Sequence, residues 1–144
     1  MPELMSEKEV FLDTGFAIAL VAPRDRYHAK AVQLADDLKT SGSAIVTTRA
    51  VLLEIGAALA KVSYRGAAVS IIDMLENDPD VEIVAIQNDL FVEAFELFRG
   101  RTDKEWSLTD CMSFVVMRQR GIQVALAADI HFQQAGFKAL LLEI

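Results

Sequence analysis

Asp13, Glu54, Asp110 and Asp129 stand inside apolar runs that read VFLDTG, AVLLEIGAAL, SLTDCMSF and VALAADIHF. No lysine or arginine falls in any of these four stretches. A carboxylate withdrawn from water without a partner is destabilising, and several brought together repel one another or take up protons. A divalent cation removes that conflict, because hard oxygen donors suit Mg²⁺ or Mn²⁺. The four acids are therefore candidate metal ligands and candidate catalytic residues, and the chemistry they suggest is metal-dependent hydrolysis.

Acids so far apart in sequence need a scaffold that gathers them. Short β-branched or apolar runs alternate with longer helical patterns, as in βαβ units built on a parallel sheet. Strands are predicted at 9–13, 44–47, 82–86, 122–127 and 138–142. Helices are predicted at 14–21, 27–39, 49–63, 66–77, 89–99, 108–120 and 130–135. The Asn77-Asp78-Pro79-Asp80 run ends one helix, and Gly121 is placed as the left-handed C-cap of another. Residues 100–105 are polar and read as a loop. Asp13 and Asp129 then fall at the carboxyl ends of the first and fourth strands, where open α/β sheets bind ligands. Asp110 falls in the first turn of a helix, where the dipole favours negative charge. Glu54 lies mid-helix with Ala50, Val51, Ala57 and Ala58 one turn away, so its face reads as packed against the sheet.

Each acid also has a purely structural reading. Asp13 and Asp129 could N-cap the helices that follow them. Ser107 and Asp110 have capping-box spacing, so Asp110 could simply reach back to the Ser107 amide. Glu54 has no comparable role, which makes it the most diagnostic of the four. His28 and His131 read as surface or packing residues, and Cys111 as a small buried one. Phe91, Phe95 and Phe98 repeat at helical spacing and read as core, and Trp106 as a hydrophobic staple. Arg24, Arg26, Arg49, Lys61, Arg65 and Lys104 are candidates for a basic rim.

A chain of 144 residues fits one domain, with residues 1–8 as a flexible lead. The formal charge of −7 argues against a broad basic surface, so a nucleic acid would be gripped through metal and a local basic rim. No apolar run approaches the ~20 residues of a membrane span, and the polar, acidic start is unlike a secretory signal. A single cysteine excludes an internal disulfide and fits a reducing cytoplasm. Asp13-Thr14-Gly15 also matches the aspartic-protease signature, but it occurs once and is followed by a helical pattern. A receiver-like signalling domain would need an acidic pair near the first strand, where Leu12 stands instead, and a lysine after the fifth strand.

The chain resembles the PIN domain, and most closely the VapC-type toxin ribonucleases, over residues 10–142. The matching segments are FLDTGFAIAL, the helix carrying Arg26-Tyr27-His28-Ala29-Lys30-Ala31, TTRAVLLEIGAAL, WSLTDCMSFVVM and ALAADIHFQQAGF. The family's four acids fall on Asp13, Glu54, Asp110 and Asp129. Many relatives carry Ser or Thr two residues before the last of these, where this chain has Ala127. Asp103 resembles a further acidic position of the family. The resemblance implies a three-layer α/β/α fold with a central, mainly parallel, five-stranded sheet. It also implies endonucleolytic cleavage of RNA such as tRNA or rRNA, with one or two Mg²⁺ or Mn²⁺ ions. Asp13 and Asp110 would be the principal ligands, completed by Glu54 and Asp129. A cognate antitoxin and a homodimer are the implied partners. The competing reading, a catalytically inert PIN-like module that binds RNA or protein, gives no reason to desolvate four carboxylates.

Overall fold

A computed structural model of the chain describes residues 7–143. Its strands are β1 Glu9–Leu12, β2 Ala44–Thr48, β3 Val81–Val84, β4 Val124–Leu126 and β5 Lys138–Ala139. The helices are α1 Thr14–Val21, α2 His28–Ser41, α3 Arg49–Ala58, α4 Val62–Asn77, α5 Asn88–Gly100, α6 Leu108–Arg120 and α7 Ile130–Gln134. All pairings are parallel and the strand order is β3-β2-β1-β4-β5, the expected five-stranded α/β/α arrangement. Val10, Phe11 and Leu12 in β1 are buried in succession, as are Val124, Ala125 and Leu126 in β4. Unbroken burial of this kind marks strands covered on both faces.

The chain steps from β1 outward to β2 and β3, then returns to the other side of β1 as β4. That reversal splays the connections leaving β1 and β4, and opens a crevice at their carboxyl ends. The Asp13 amide, bonded to the Leu126 carbonyl at 3.1 Å, carries the pairing to the lip of the crevice.

Helix α6 runs through the interior, with every residue from Asp110 to Met117 buried. It ends at Gly121, whose φ of 71° is the left-handed conformation predicted for it, and the Ile122 amide returns to the Met117 carbonyl. Phe114, on the same helix, meets Trp106 and Phe132 edge-on at 5.0 Å each and Phe137 at 5.8 Å. Trp106 thus packs a turn beyond the expected staple position, and its indole N–H donates to Gln134. Cys111 is buried in α6, and burial, with the Asp110 charge second, pushes its thiol up to about 11. We expect the native protein to resist a maleimide until denaturant is added; full labelling of the folded chain would contradict that placement.

Several expectations are corrected. The long helix predicted at 49–63 breaks after Ala58, and α4 starts at Val62 rather than 66. The Arg65 guanidinium takes the Ala60 carbonyl across the break, closing a bend that no glycine or proline announces. The strand expected at 138–142 is two residues long and turns into a 3₁₀ helix, Leu140–Leu142. That turn buries Leu140 and Leu141, and the Leu141 amide bonds the Ala127 carbonyl. Residues 7 and 8 of the expected lead are held against β2, the Glu7 carbonyl by the Ser43 hydroxyl and the Lys8 carbonyl by the Ala44 amide. Residues 1–6 lie outside the described residues.

Phe91, Phe95 and Phe98 are not core. They are 41%, 39% and 44% exposed and form a stacked row on the outside of α5. The inward stripe lies one residue earlier, at Leu90, Ala94 and Leu97, where the small Ala94 lets α5 approach α6 closely. Far from the crevice, Arg120 at the end of α6 bonds both Glu9 of β1 and Glu82 of β3. It holds the Glu9 carboxyl below the usual range.

Candidate metal centre and active site

The crevice is a cleft of about 820 Å³ lined by Asp13, Glu54, Asp110 and Asp129 together. Sequence reasoning did not place Thr14, Glu105, Ser107, His131 and Gln133 there, yet they line it too. Five carboxylates therefore face the cleft, with no lysine or arginine among its lining residues.

Each acid arrives on a different element. Asp13 directly follows β1 with extended backbone and precedes α1, but its side chain makes no capping bond. The cap reading therefore fails for Asp13. Its carboxyl Oδ1 is buried without a hydrogen-bond partner, and the residue is only 6% exposed. Burial first, then the charges of Asp110, Glu54 and Asp129, push the Asp13 carboxyl up to about 8; the Thr14 amide opposes them. Asp110 does close a capping box, taking the Ser107 amide on Oδ2 at 3.0 Å while its own amide donates to Ser107 Oγ. Asp129 caps α7 through Oδ1, which accepts the His131 amide at 2.9 Å. For these two acids, capping and facing the cleft are the same placement: the cap locks one oxygen and so orients the carboxylate.

Glu54 reaches the cleft from α3 and accepts the Thr14 hydroxyl on Oε1 at 2.6 Å. Its helix face is only half packed, because Ala50 and Val51 are buried whereas Ala57 and Ala58 are exposed. Glu54 thus stands at the margin of the core, a position that α-helical spacing alone does not reveal.

The histidines separate. His28 Nδ1 lies 2.7 Å from the Ala19 carbonyl and ties α2 to α1, matching its packing role. His131 does not match the peripheral role expected of it. Its Nδ1 is 2.9 Å from Asp110 Oδ2 and 3.3 Å from Asp129 Oδ1. Donor atoms of Asp110, Asp129 and His131 all lie within 4.8 Å of one another. Asp13 and Glu54 face the same cleft from outside that tight set. Asp103 is not among the lining residues; it is exposed and forked to Arg101, which draws its carboxyl down to about 2. Ala127 is fully buried beneath Ala128, which lines the cleft in its place. Three of the basic-rim candidates are engaged elsewhere, Arg49 with Glu76, Arg65 with Ala60 and Lys104 with Asp103.

A carboxyl oxygen buried without a donor, beside three further carboxylates, is the electrostatic signature of a cation site. The residues present therefore fit a divalent ion. Comparison with known proteins agrees with that chemistry, since residues 10–138 match the PIN domain.

The chain belongs to the PIN-domain family.

Within it, the chain is 33% identical over 129 residues to the 23S rRNA-specific endonuclease VapC20 of Mycobacterium tuberculosis, covering 89% of this chain and 95% of that protein. The crystal structure of that protein, described as a Sarcin-Ricin loop cleaving toxin, superposes with a TM-score of 0.78 at 32% identity over the same shares. VapBC2 from Rickettsia felis, bound to a DNA fragment from its promoter, gives a TM-score of 0.64 at 13% identity, covering 91% of this chain and 96% of that one. FitAcB from Neisseria gonorrhoeae gives 0.61 at 16%, covering 90% and 94%. At those identities the last two speak for the PIN fold alone. Among the described residues no helix is long and apolar enough to cross a membrane.

Proposed function

We propose that this PIN-domain protein is a divalent-metal-dependent endoribonuclease that acts as the toxin of a toxin–antitoxin pair. The observation that carries the reading is the unpartnered, buried Asp13 Oδ1 in a cleft shared with Glu54, Asp110 and Asp129. The likeness to a ribosomal-RNA endonuclease over most of both chains supports RNA, and rRNA first, as the substrate class. A bound Mg²⁺ or Mn²⁺ would supply an acidified water and offset the phosphate charge. Asp13 and Asp110 would be its principal holders, with Glu54 and Asp129 completing the site.

The chain's own groups do the positioning. Thr14 fixes Glu54, Ser107 fixes Asp110, and the His131 amide fixes Asp129, so the carboxylates are preorganised before substrate arrives. The ionised carboxylates of the cleft repel a phosphodiester, so the cleft accepts RNA only once their charge is neutralised. In the reaction water attacks phosphorus and the 3′-oxygen leaves with the electron pair of the broken P–O bond. The test is to sequence the 5′ ends of cellular RNA after brief expression of wild type and Asp13→Asn. New ends are expected with wild type only. Equal patterns from both proteins would sink the assignment.

Two exposed apolar surfaces serve the proposed partners. Leu53, Val62 and Tyr64 are 65%, 91% and 51% exposed on α3 and α4, where an antitoxin segment would dock next to the helix that carries Glu54. The phenylalanine row of α5 contributes no residue to the cleft lining, and we assign it to a second copy of the chain. Light scattering should find a dimer that Phe95→Glu converts to monomer; a wild-type monomer at every concentration would refute the assignment.

A further inference from the structure

We infer that His131 is itself a metal ligand, so that Asp110, Asp129 and His131 form a mixed oxygen–nitrogen site. The inference rests on the metal-dependent reading above but concerns a residue outside the four acids. His131 occupies the second position of α7, and its amide is bound by the Asp129 carboxylate at 2.9 Å. The ring lines the cleft together with Asp110 and Asp129. Nδ1 then faces two carboxylate oxygens at once, at 2.9 and 3.3 Å. A single proton on Nδ1 points well at only one of them.

Adjacent ligands on an octahedron with bonds of ~2.1 Å stand roughly 3.0 Å apart. The two measured separations bracket that edge length. Two edges of a coordination face are thus already near their bonded length, and the third, between the two carboxylates, lies within 4.8 Å. The buried, unpartnered Asp13 Oδ1, in the same cleft, independently points to a cation there. An imidazole nitrogen biases a site toward first-row transition ions over Mg²⁺, which strongly prefers oxygen.

The chain has two histidines, and His28 is held at the Ala19 carbonyl, which makes it an internal control. Pulsed electron paramagnetic resonance on the Mn²⁺-loaded full chain should show coupling to a directly bound imidazole nitrogen. His28→Asn should keep that coupling and His131→Asn should lose it. In calorimetry His131→Asn should weaken Co²⁺ binding by about tenfold or more, with a smaller effect on Mg²⁺. If His131→Asn fails to fold, persistence of the coupling in His28→Asn assigns it to the one histidine left. Bound Mn²⁺ without nitrogen coupling, or coupling that survives His131→Asn, would overturn this inference alone. Failure of Mn²⁺ to bind at all would overturn the metal reading together with it.

Discussion

Asp13→Asn should abolish RNA cleavage and yet make the metal-free protein more stable. The two effects share one cause. Burial and three neighbouring carboxylates raise the Asp13 carboxyl to about 8, so between about pH 4 and pH 8 the folded chain holds a proton that the unfolded chain has released. The stability associated with that proton is fully present below about pH 4 and is lost as pH rises through about 8. The slope within the window approaches about 1.4 kcal/mol per pH unit. Asparagine carries no such charge and should flatten the profile, leaving the variant the more stable at pH 8 without metal. Loss of a principal ligand should remove several kcal/mol of charge stabilisation in the transition state, about a thousandfold or more in rate. Chemical denaturation across pH, paired with a cleavage assay in Mg²⁺ and Mn²⁺, checks both halves. A variant that cuts normally, or one with the wild-type pH slope, would contradict the placement of Asp13. Metal binding at neutral pH should also release close to one proton, read as buffer-dependent heat in calorimetry.

Phe114→Ala should be the most damaging single truncation away from the acids. The ring is fully buried and is the shared neighbour of Trp106, Phe132 and Phe137. Its removal should destabilise the protein by about 3–5 kcal/mol through lost burial and a residual cavity. The harm should reach the cleft as well. Trp106 precedes the Ser107–Asp110 cap and Phe132 follows His131, so a loosened cluster lets two of the segments that line the cleft drift. Urea unfolding followed by Trp106 emission should show a lower midpoint with little change in slope. A shift worth less than about 1 kcal/mol would mean that the cluster can collapse around the gap.

Much of the site was legible because strand ends are legible. An apolar run that stops at an acid, as at Leu12-Asp13, reads directly as a strand delivering a carboxylate to the sheet edge. The cap readings of Asp110 and Asp129 were also right, and they did not compete with function, since the capping bond is what aims each carboxylate. His131 was missed because its significance depends on Asp110, which is brought beside it by the docking of α7 on α6. Its place two residues after a capping aspartate, in the first turn of α7, was the available signal. The phenylalanine row was misplaced for a different reason. Helical spacing reveals an apolar stripe but not whether another element covers it, and α5 carries two such stripes one residue apart. The last strand was overextended because Leu140, Leu141 and Leu142 satisfy both a buried strand and a 3₁₀ turn. The bond from the Glu143 amide to the Leu140 carbonyl, three residues back, marks the turn.

The pairing of β4 with β1 bears on when the acidic cleft is assembled. Asp13 leaves a strand near the start of the described chain, whereas Asp129 and His131 leave one near its end, and the two strands touch at only two registered positions. Contacts between such distant segments form late, after the local helices and hairpin-free βα units are in place. A nascent chain therefore carries Asp13, Glu54 and Asp110 without an assembled cleft until β4 and the segment after it have emerged. Docking of the β4–α7–β5 segment completes the cleft, and local opening of that same short segment would dismantle the cleft again without melting the remainder.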